Sequence, residues 1–418
     1  MSLRQTILAA ACLAALGAPA FADTTLTILH VNEIPAAKAL WDKIAKDYEA
    51  EHPGVKVQFK YLENEAFKAK LPTMLQADDS RPSLFYSWGG GVMDAQTRAG
   101  FLKDISGDVG SVQSTMAPTA VNAFKVDGKT VGLPFQAGVV SFFYNKTLFE
   151  KAGVKAEDIK TWDDFLGEVK KLKAAGVTPI AVGAGEKWPM HFYYSYLVMR
   201  IGGEHALADA KAGKDGGFKN PTFVEAGKKL RELAALEPFQ PGWLSTKHAE
   251  STGIFADGKA AMDLMGEWLI GMQATTSASG KGLPIDDIGV LSFPIVQGGK
   301  GEATDTLGGV NGFLVTKTAP PEAVDFLKFF SQEKYAKEAA ETGAYIPVVK
   351  GTESAIQNPL VKKVAAELAA TTYHQNFFDQ DLGPSVGRVI NDISVAVAAG
   401  QMTPEAAAAA IQDAADQQ

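Results

Sequence analysis

The chain has 418 residues, 46% of them hydrophobic, and 40 Lys and Arg against 48 Asp and Glu give a formal charge of −8. A mildly acidic surface argues against nucleic acid and anionic membranes as partners, and the length exceeds the ~250–300 residues at which one core stops growing, so two lobes are expected. The single cysteine, Cys12, lies near the N-terminus, so the rest of the chain has no thiol, no disulfide and no cysteine-based metal site.

Arg4 is followed by an uncharged Ala/Leu-rich run from Ile7 to Ala18, then by Ala20-Phe21-Ala22 before Asp23. A positive start, an apolar middle and small residues at the end make a secretory signal over 1–22, with cleavage expected after Ala22. No later apolar stretch approaches the ~18 residues needed to span a bilayer. The expected product is therefore not membrane-embedded and is released into the periplasm, where a thiol-free chain suits the oxidising conditions.

Leu26 to Val31 reads as a strand. Ala36 to Glu51 is a helix with Leu40, Ile44 and Tyr48 on one stripe, stopped by His52-Pro53-Gly54, and Val55 to Tyr61 alternates as a second strand. A helix over Phe67–Gln76 leads to a strand at Ser83–Ser87, which runs into Trp88-Gly89-Gly90-Gly91. Met93–Ala99 is helical. Thr130–Pro134 and Val139–Asn145 read as two strands, and Thr161 caps a helix that Gly176 closes. Pro179–Val182 is a strand leading into the loop 183–189, and an aromatic helix covers Met190–Arg200. A helix over Phe223–Leu236 is followed by strands at Ala260–Met265, Ile288–Phe293 and Phe313–Thr316. Pro321–Phe330 and Glu333–Thr342 are helices, and two more, broken near Gly400, close the chain. Alternating helices and strands favour α/β lobes, and the absence of an obvious linker suggests lobes built from interleaved segments.

Catalytic motifs are missing. The six histidines form no His-Glu-x-x-His and no neighbouring pair, and there is no Gly-x-Ser-x-Gly elbow. Gly128-Lys129-Thr130 resembles the end of a phosphate loop, but Ala123 stands where the first glycine belongs, so a surface turn is expected. No metal and no cofactor are expected.

Planar groups, by contrast, recur at strand exits, where α/β folds bind ligands. Asn32 and Glu33 follow the first strand; Trp88, with Gly89 and Gly90, follows the strand 83–87. Glu186 and Trp188 follow 179–182, Glu267 and Trp268 follow 260–265, and Asn311 lies among glycines before 313–316. Flat rings beside carboxylates and amides suit a sugar, whose C–H faces pack on indoles and whose hydroxyls pair with polar groups. Structural roles compete at each position. Asn32 and Glu33 could cap a helix, Gly308-Gly309 could be a turn, and any single Trp could be core. Trp41 and Trp162 are read as packing residues, and the Tyr193-Tyr194-Tyr196 cluster as core.

Read in order, certain segments resemble a known family. These are Tyr48–Val57, Gly132–Phe135 with Phe143–Phe149, Thr161–Phe165, Phe255–Met262, Gly308-Gly309 before Phe313, and Gly400–Ala406. They resemble the extracellular solute-binding proteins of bacterial ABC transporters, in the sugar-binding group that includes maltodextrin-binding protein. The resemblance implies an α/β, two-lobed periplasmic binding protein fold of type II. Lobe I would comprise 23–134 plus 296–343, and lobe II 135–295 plus 344–418. Hinges would lie near 133–136, 291–295 and 343–347. It implies ligand contacts at Trp88 with its glycines, Phe135, Glu186, Trp188, Glu267, Trp268, Gly309, Asn311 and Tyr345, with Asp379 and Asp381 as further candidates. The cleft residues depart from those of maltodextrin binders. The implied function is the sugar-binding component of an ABC importer. It would act as a monomer with permease subunits as partners, and would bind an oligosaccharide such as an α-galactoside of the raffinose or melibiose kind. Alternatives are a monosaccharide or polyol binder and, from another class, a secreted carbohydrate-active enzyme.

Overall fold

A computed structural model describes residues 24–418 of the chain. The signal segment expected over 1–22 lies outside the described residues. The described residues form eleven strands: β1 (Thr24–His30), β2 (Val55–Tyr61), β3 (Leu84–Ser87), β4 (Lys125–Val126), β5 (Lys129–Thr130), β6 (Gly132–Asn145), β7 (Ile180–Ala181), β8 (Met262–Gly266), β9 (Ile288–Leu291), β10 (Thr306–Val315) and β11 (His374–Asn376). Nine of them form one sheet along the path β2-β1-β3-β10-β6-β8-β7, with β11 joined to β10 and β9 to β6. The strands β4 and β5 form a separate hairpin, turned by Asp127 and Gly128 at positive φ, so Gly128 lies in a turn while Lys129 and Thr130 form the strand that follows it.

Apolar side chains gather into two large clusters. One surrounds Trp41, packed edge-on against Phe135, Phe313 and Phe330. Many of its other members come from β1 to β3, the helices Pro35–Glu51 and Asn64–Gln76, and the helix Pro321–Phe330. The second surrounds Trp162, stacked on Phe293, and the fully buried Tyr193, Tyr194 and Tyr196. Trp41, Trp162 and the tyrosine cluster are thus packing residues. Each cluster is the core of one lobe, and the fold is the two-lobed α/β arrangement.

Two long strands run through both lobes. Residues 132–139 of β6 pair with β10, whereas residues 140–145 pair with β8 and β9. In turn, β10 pairs with β3 at Gly312–Val315 and with β11 at Thr306–Gly308. The sequence suggests two strands where β6 is one, because Gln136-Ala137-Gly138 reads as a polar break. Those residues instead pair with Asn311, Val310 and Gly309. β10 begins at Thr306, well before Phe313, and runs through Gly308-Gly309, which the sequence leaves open as a turn, and Gly312. They are needed as glycines: a Cβ on Gly308 would collide with the Gly138 carbonyl, and one on Gly312 with the Leu133 carbonyl.

Residues 296–305, expected in the first lobe, lie against the second. Lys300 and Gly301 donate backbone bonds to Ile201 and Arg200, and the buried Arg200 guanidinium donates to the Asp305 and Phe293 carbonyls. The passage expected at Leu291–Ile295 therefore comes later, along β10. The chain leaves the first core after Tyr345, packs Val348 and Val349 against Met116 and Ala336, and joins the second core at Ile356 and Leu360.

Candidate functional site

A cleft of about 780 Å³, continuous with solvent, lies where the lobes face each other. The first lobe contributes the loop after β1 (Asn32 and Glu33), Asn64 and Lys68 of the helix Asn64–Gln76, and Tyr86 and Trp88 from the end of β3. The second contributes Trp188, His191, Phe192, His248, Trp268, Met272, Phe377, Asp379 and Gln380. The through-running strands supply Gln136 and Asn311.

Local sequence explains these placements. The helix Trp188–Gly202 starts at Trp188-Pro189 after Lys187 at φ 67°, which puts Trp188, His191 and Phe192 on one face at i, i+3 and i+4. Trp268 opens the helix Trp268–Thr276 and folds back over Gly266, where any Cβ would strike its ring. Its indole Nε1 donates to His248 Nε2 at 3.3 Å. Burial drives the His248 pKa down to about 4, so the ring is neutral and can accept. Trp188 lies 4.9 Å from the His248 ring and 6.4 Å from Trp268, and Phe377 lies 6.3 Å from Trp268. The second lobe thus offers an aromatic wall. Trp88 faces it from the other lobe, held edge-on by Tyr86 and Phe67, with Lys68 Nζ 5.6 Å from its ring.

Lys68 Nζ also contacts Asp379 Oδ2 at 3.1 Å and Glu65 at 3.4 Å, so one ion pair spans the lobes. Burial favours the neutral form of Asp379, but the Lys68 charge, with the hydrogen bonds from Lys68 and Asn391, outweighs it and holds the carboxyl below its ordinary range. Gln380 Nε2 and Asn391 Nδ2 donate to the same oxygen. The other oxygen lies 3.8 Å from His191 Nε2, too far for a hydrogen bond. His191 is neutral, because burial outweighs Asp379.

Four buried polar atoms of the lining have no partner among the described residues: Gln136 Oε1, Asn311 Oδ1, Trp188 Nε1 and His191 Nε2. Buried polar atoms are seldom left unpaired, at a cost of about 1–3 kcal/mol each. Here all four belong to side chains lining one cleft. The arrangement can pack a flat apolar face while meeting both donors and acceptors, as a polyhydroxylated ligand requires.

Of the residues singled out from sequence, Asn32, Glu33, Trp88, Trp188, Trp268, Asn311 and Asp379 line the cleft. Asn32 also accepts from the Ile34 N–H, and Glu33 accepts from the Tyr61 hydroxyl. The others are placed elsewhere. Gly89 and Gly90 take φ of 68° and 69°, but the space above Gly90 is filled by Asn376, Gln380 and Asp381 of the second lobe. Phe135 and Tyr345 pack on each other at 5.1 Å inside the first core. Gly309 makes room for the Phe377 ring. Asp381 accepts from Gln375 and Lys211, outside the cleft. Glu267 is buried against Gly138 of β6, where a Cβ would collide with its carboxyl, and burial pushes its pKa up to about 7. Glu186 accepts from the His248 N–H at 2.6 Å and sits at the rim. The sequence does not point to Asn64, Lys68, Tyr86, Gln136, His191, Phe192, His248 or Met272. Helical spacing from Trp188 would have found His191 and Phe192. Gln136 stands in the sequence only as the end of an implied hinge, and Lys68 and His248 carry no local signal.

A family model of the bacterial extracellular solute-binding protein matches residues 32–337, and the chain belongs to that family. It is similar to the "Multiple sugar-binding protein" of Streptococcus mutans serotype c, 25% identical over 374 residues that span 86% of this chain and 83% of that one. It is also similar to a diacetylchitobiose binding protein of Streptomyces coelicolor, 26% identical over 357 residues that span 85% and 79% of the two. Among solved structures, a chitin oligosaccharide binding protein matches with a TM-score of 0.85 at 27% identity, covering 94% of this chain and 98% of that one. Among the described residues, no helix is long and apolar enough to cross a membrane.

Proposed function

We propose that the chain is the periplasmic receptor of an ABC sugar importer, which holds an oligosaccharide in the interlobe cleft and delivers it to membrane permease subunits. The observation that carries this reading is the cleft itself: three tryptophans and Phe377 around four unpartnered polar atoms. Aromatic faces on both lobes favour a ligand of more than one ring. The acidic and basic side chains of the lining are Glu33, Asp379 and Lys68, and Lys68 is held by Asp379 and Glu65. That favours a neutral sugar over a uronic acid or a sugar phosphate. An α-galactoside of the raffinose or melibiose kind belongs in the test set beside chito-oligosaccharides, which the relatives' names suggest.

In this reading the lobes are those of the two cores, hinged on β6, β10 and the 343–347 passage. Sugar bridges the lobes, excludes water and stabilises the closed form. It must bind closed better than open, since equal affinity shifts nothing. The chain binds without catalysis. A thermal-shift screen of mono-, di- and trisaccharides, followed by recovery of the bound sugar, tests this. Intact sugar and a raised Tm support it; cleaved glycoside contradicts it.

A further inference from the structure

The ion pair between Lys68 and Asp379 joins the two lobes, and each partner is also held within its own lobe. Lys68 follows Phe67, a member of the first core, on the helix Asn64–Gln76, and Asp379 follows Phe378, a member of the second. Lys68 Nζ lies 3.1 Å from Asp379 Oδ2. Glu65, one turn back on the Lys68 helix, lies 3.4 Å from the same nitrogen. Gln380 Nε2 and Asn391 Nδ2, both in the second lobe, donate to Asp379 Oδ2 at 3.1 and 3.3 Å. Breaking a buried pair is costly when it leaves a charge without a partner. Parting the lobes leaves none: Lys68 keeps Glu65, and Asp379 keeps two amides.

The pair is also placed to act on the cleft, because both side chains line it. Lys68 Nζ stands 5.6 Å from the centre of the Trp88 ring, and the Trp88 carbonyl accepts from Asn376 Nδ2 of the second lobe at 3.1 Å. Closing the pair therefore sets Trp88 opposite the aromatic wall. Only one carboxylate oxygen is engaged, since all three donors converge on Oδ2. The other, Oδ1, faces His191 Nε2 at 3.8 Å. His191 Nδ1 lies 2.7 Å from the Trp188 carbonyl, so in the neutral ring Nδ1 carries the proton and Nε2 is an acceptor. Oδ1 and Nε2 are thus two acceptors that a saccharide hydroxyl can meet without displacing Lys68.

We propose that Lys68 and Asp379 form a reversible latch that lets the lobes close before any ligand arrives. Lys68 is then a positioning residue, which acts through the closed form and through Trp88. The inference rests on the proposed function only in taking the lobes to move. A ligand that meets a protein already partly closed loses less affinity to the closing step, because apparent affinity scales with the fraction of competent form.

Cys12, the only cysteine, lies in the segment expected to be removed, so spin labels can be placed on the processed chain at Lys70→Cys in the first lobe and Leu244→Cys in the second, both exposed. Pulsed electron–electron resonance then reads the interlobe distance without saccharide. The parent should show a short-separation population that Lys68→Met and Asp379→Asn each reduce several-fold. The double variant should open no further than either single one, because both remove the same contact. Lys68→Arg, which keeps the charge, should retain the short population. Lys171→Met removes a cation paired with Glu168 on its own helix and should leave the distribution unchanged. Circular dichroism checks that each variant is folded, and either single variant reads the pair if the other is not. A distribution that the substitutions leave as it is in the parent overturns the latch. So does a double variant that opens by the sum of the single effects, or a shift as large in Lys171→Met, which would assign the change to net charge. No saccharide enters the measurement, so the latch and the sugar reading fail separately.

Discussion

Trp268 is the side chain on which the sugar reading leans most. It is only partly buried, it lines the cleft, and its indole is fixed by His248 rather than by the surrounding core. Replacing Trp268 with Ala should weaken saccharide binding tenfold or more, about 1.4 kcal/mol, with circular dichroism and Tm little changed. Unchanged affinity by isothermal titration would place the sugar elsewhere. Glu267 was the same kind of candidate from sequence, yet it lies behind the cleft. Its carboxyl is buried with Oε2 unpartnered, and its pKa rises from 4.5 to about 7. The neutral acid is therefore the favoured folded form. Its contribution to stability is complete below about pH 4.5 and is lost as pH rises through about 7, amounting to about 3 kcal/mol at most. Glu267→Gln should remove that dependence, so the Tm drop between about pH 6 and about pH 8 should be smaller in the variant than in the parent. An equal drop in both proteins would show that the carboxyl is not the titrating group. The two neighbours, Glu267 and Trp268, show why the site was only partly legible. A strand's exit fixes where a side chain starts, but the backbone at the next residue decides whether it faces ligand or hinge.

At the scale of elements, β6 and β10 hold the molecule together, and each is shaped by glycine. Gly308 sits directly against the Gly138 carbonyl, whereas a Cβ on Gly138 would meet only the far end of the Glu267 side chain. Backbone cannot yield as a carboxyl can. Gly308→Ala should therefore destabilise by more than Gly138→Ala, with the former costing about 1–3 kcal/mol in urea unfolding. Equal effects would contradict the account of this crossing. These same glycines hid β10 from sequence, where a run of them reads as a turn and not as a strand. The regular elements were legible where apolar spacing was clean. The helix Pro35–Glu51, the strand Val55–Tyr61 and the helices Pro321–Phe330 and Glu333–Thr342 all match the periodicity. The helices His248–Ala256 and Pro359–Ala370 went unread, the first because it is buried on nearly every face.

For the whole molecule, the proposed closure would turn on the two strands that both cores share. The structure has the lobes in contact: Asn376 Nδ2 donates to the Trp88 carbonyl at 3.1 Å, and Lys68 meets Asp379. The two-lobed fold was legible from length, alternating elements and the family resemblance. The lobe boundary was not, because residues 296–305 are polar and Gly-rich, and only the Arg200 bonds show which core they serve. The identity of the ligand is a property of the assembled cleft, where residues far apart in sequence converge. The central claim is that this cleft closes on an intact neutral oligosaccharide. Isothermal titration of the processed protein against chito-oligosaccharides, xylo-oligosaccharides, raffinose and melibiose, with the sugar recovered afterwards, tests it most directly. The account predicts saturable binding of at least one of them, recovery of unaltered sugar, and a loss of tenfold or more in Trp268→Ala. Turnover of a bound glycoside, or binding that is indifferent to Trp268, would contradict it.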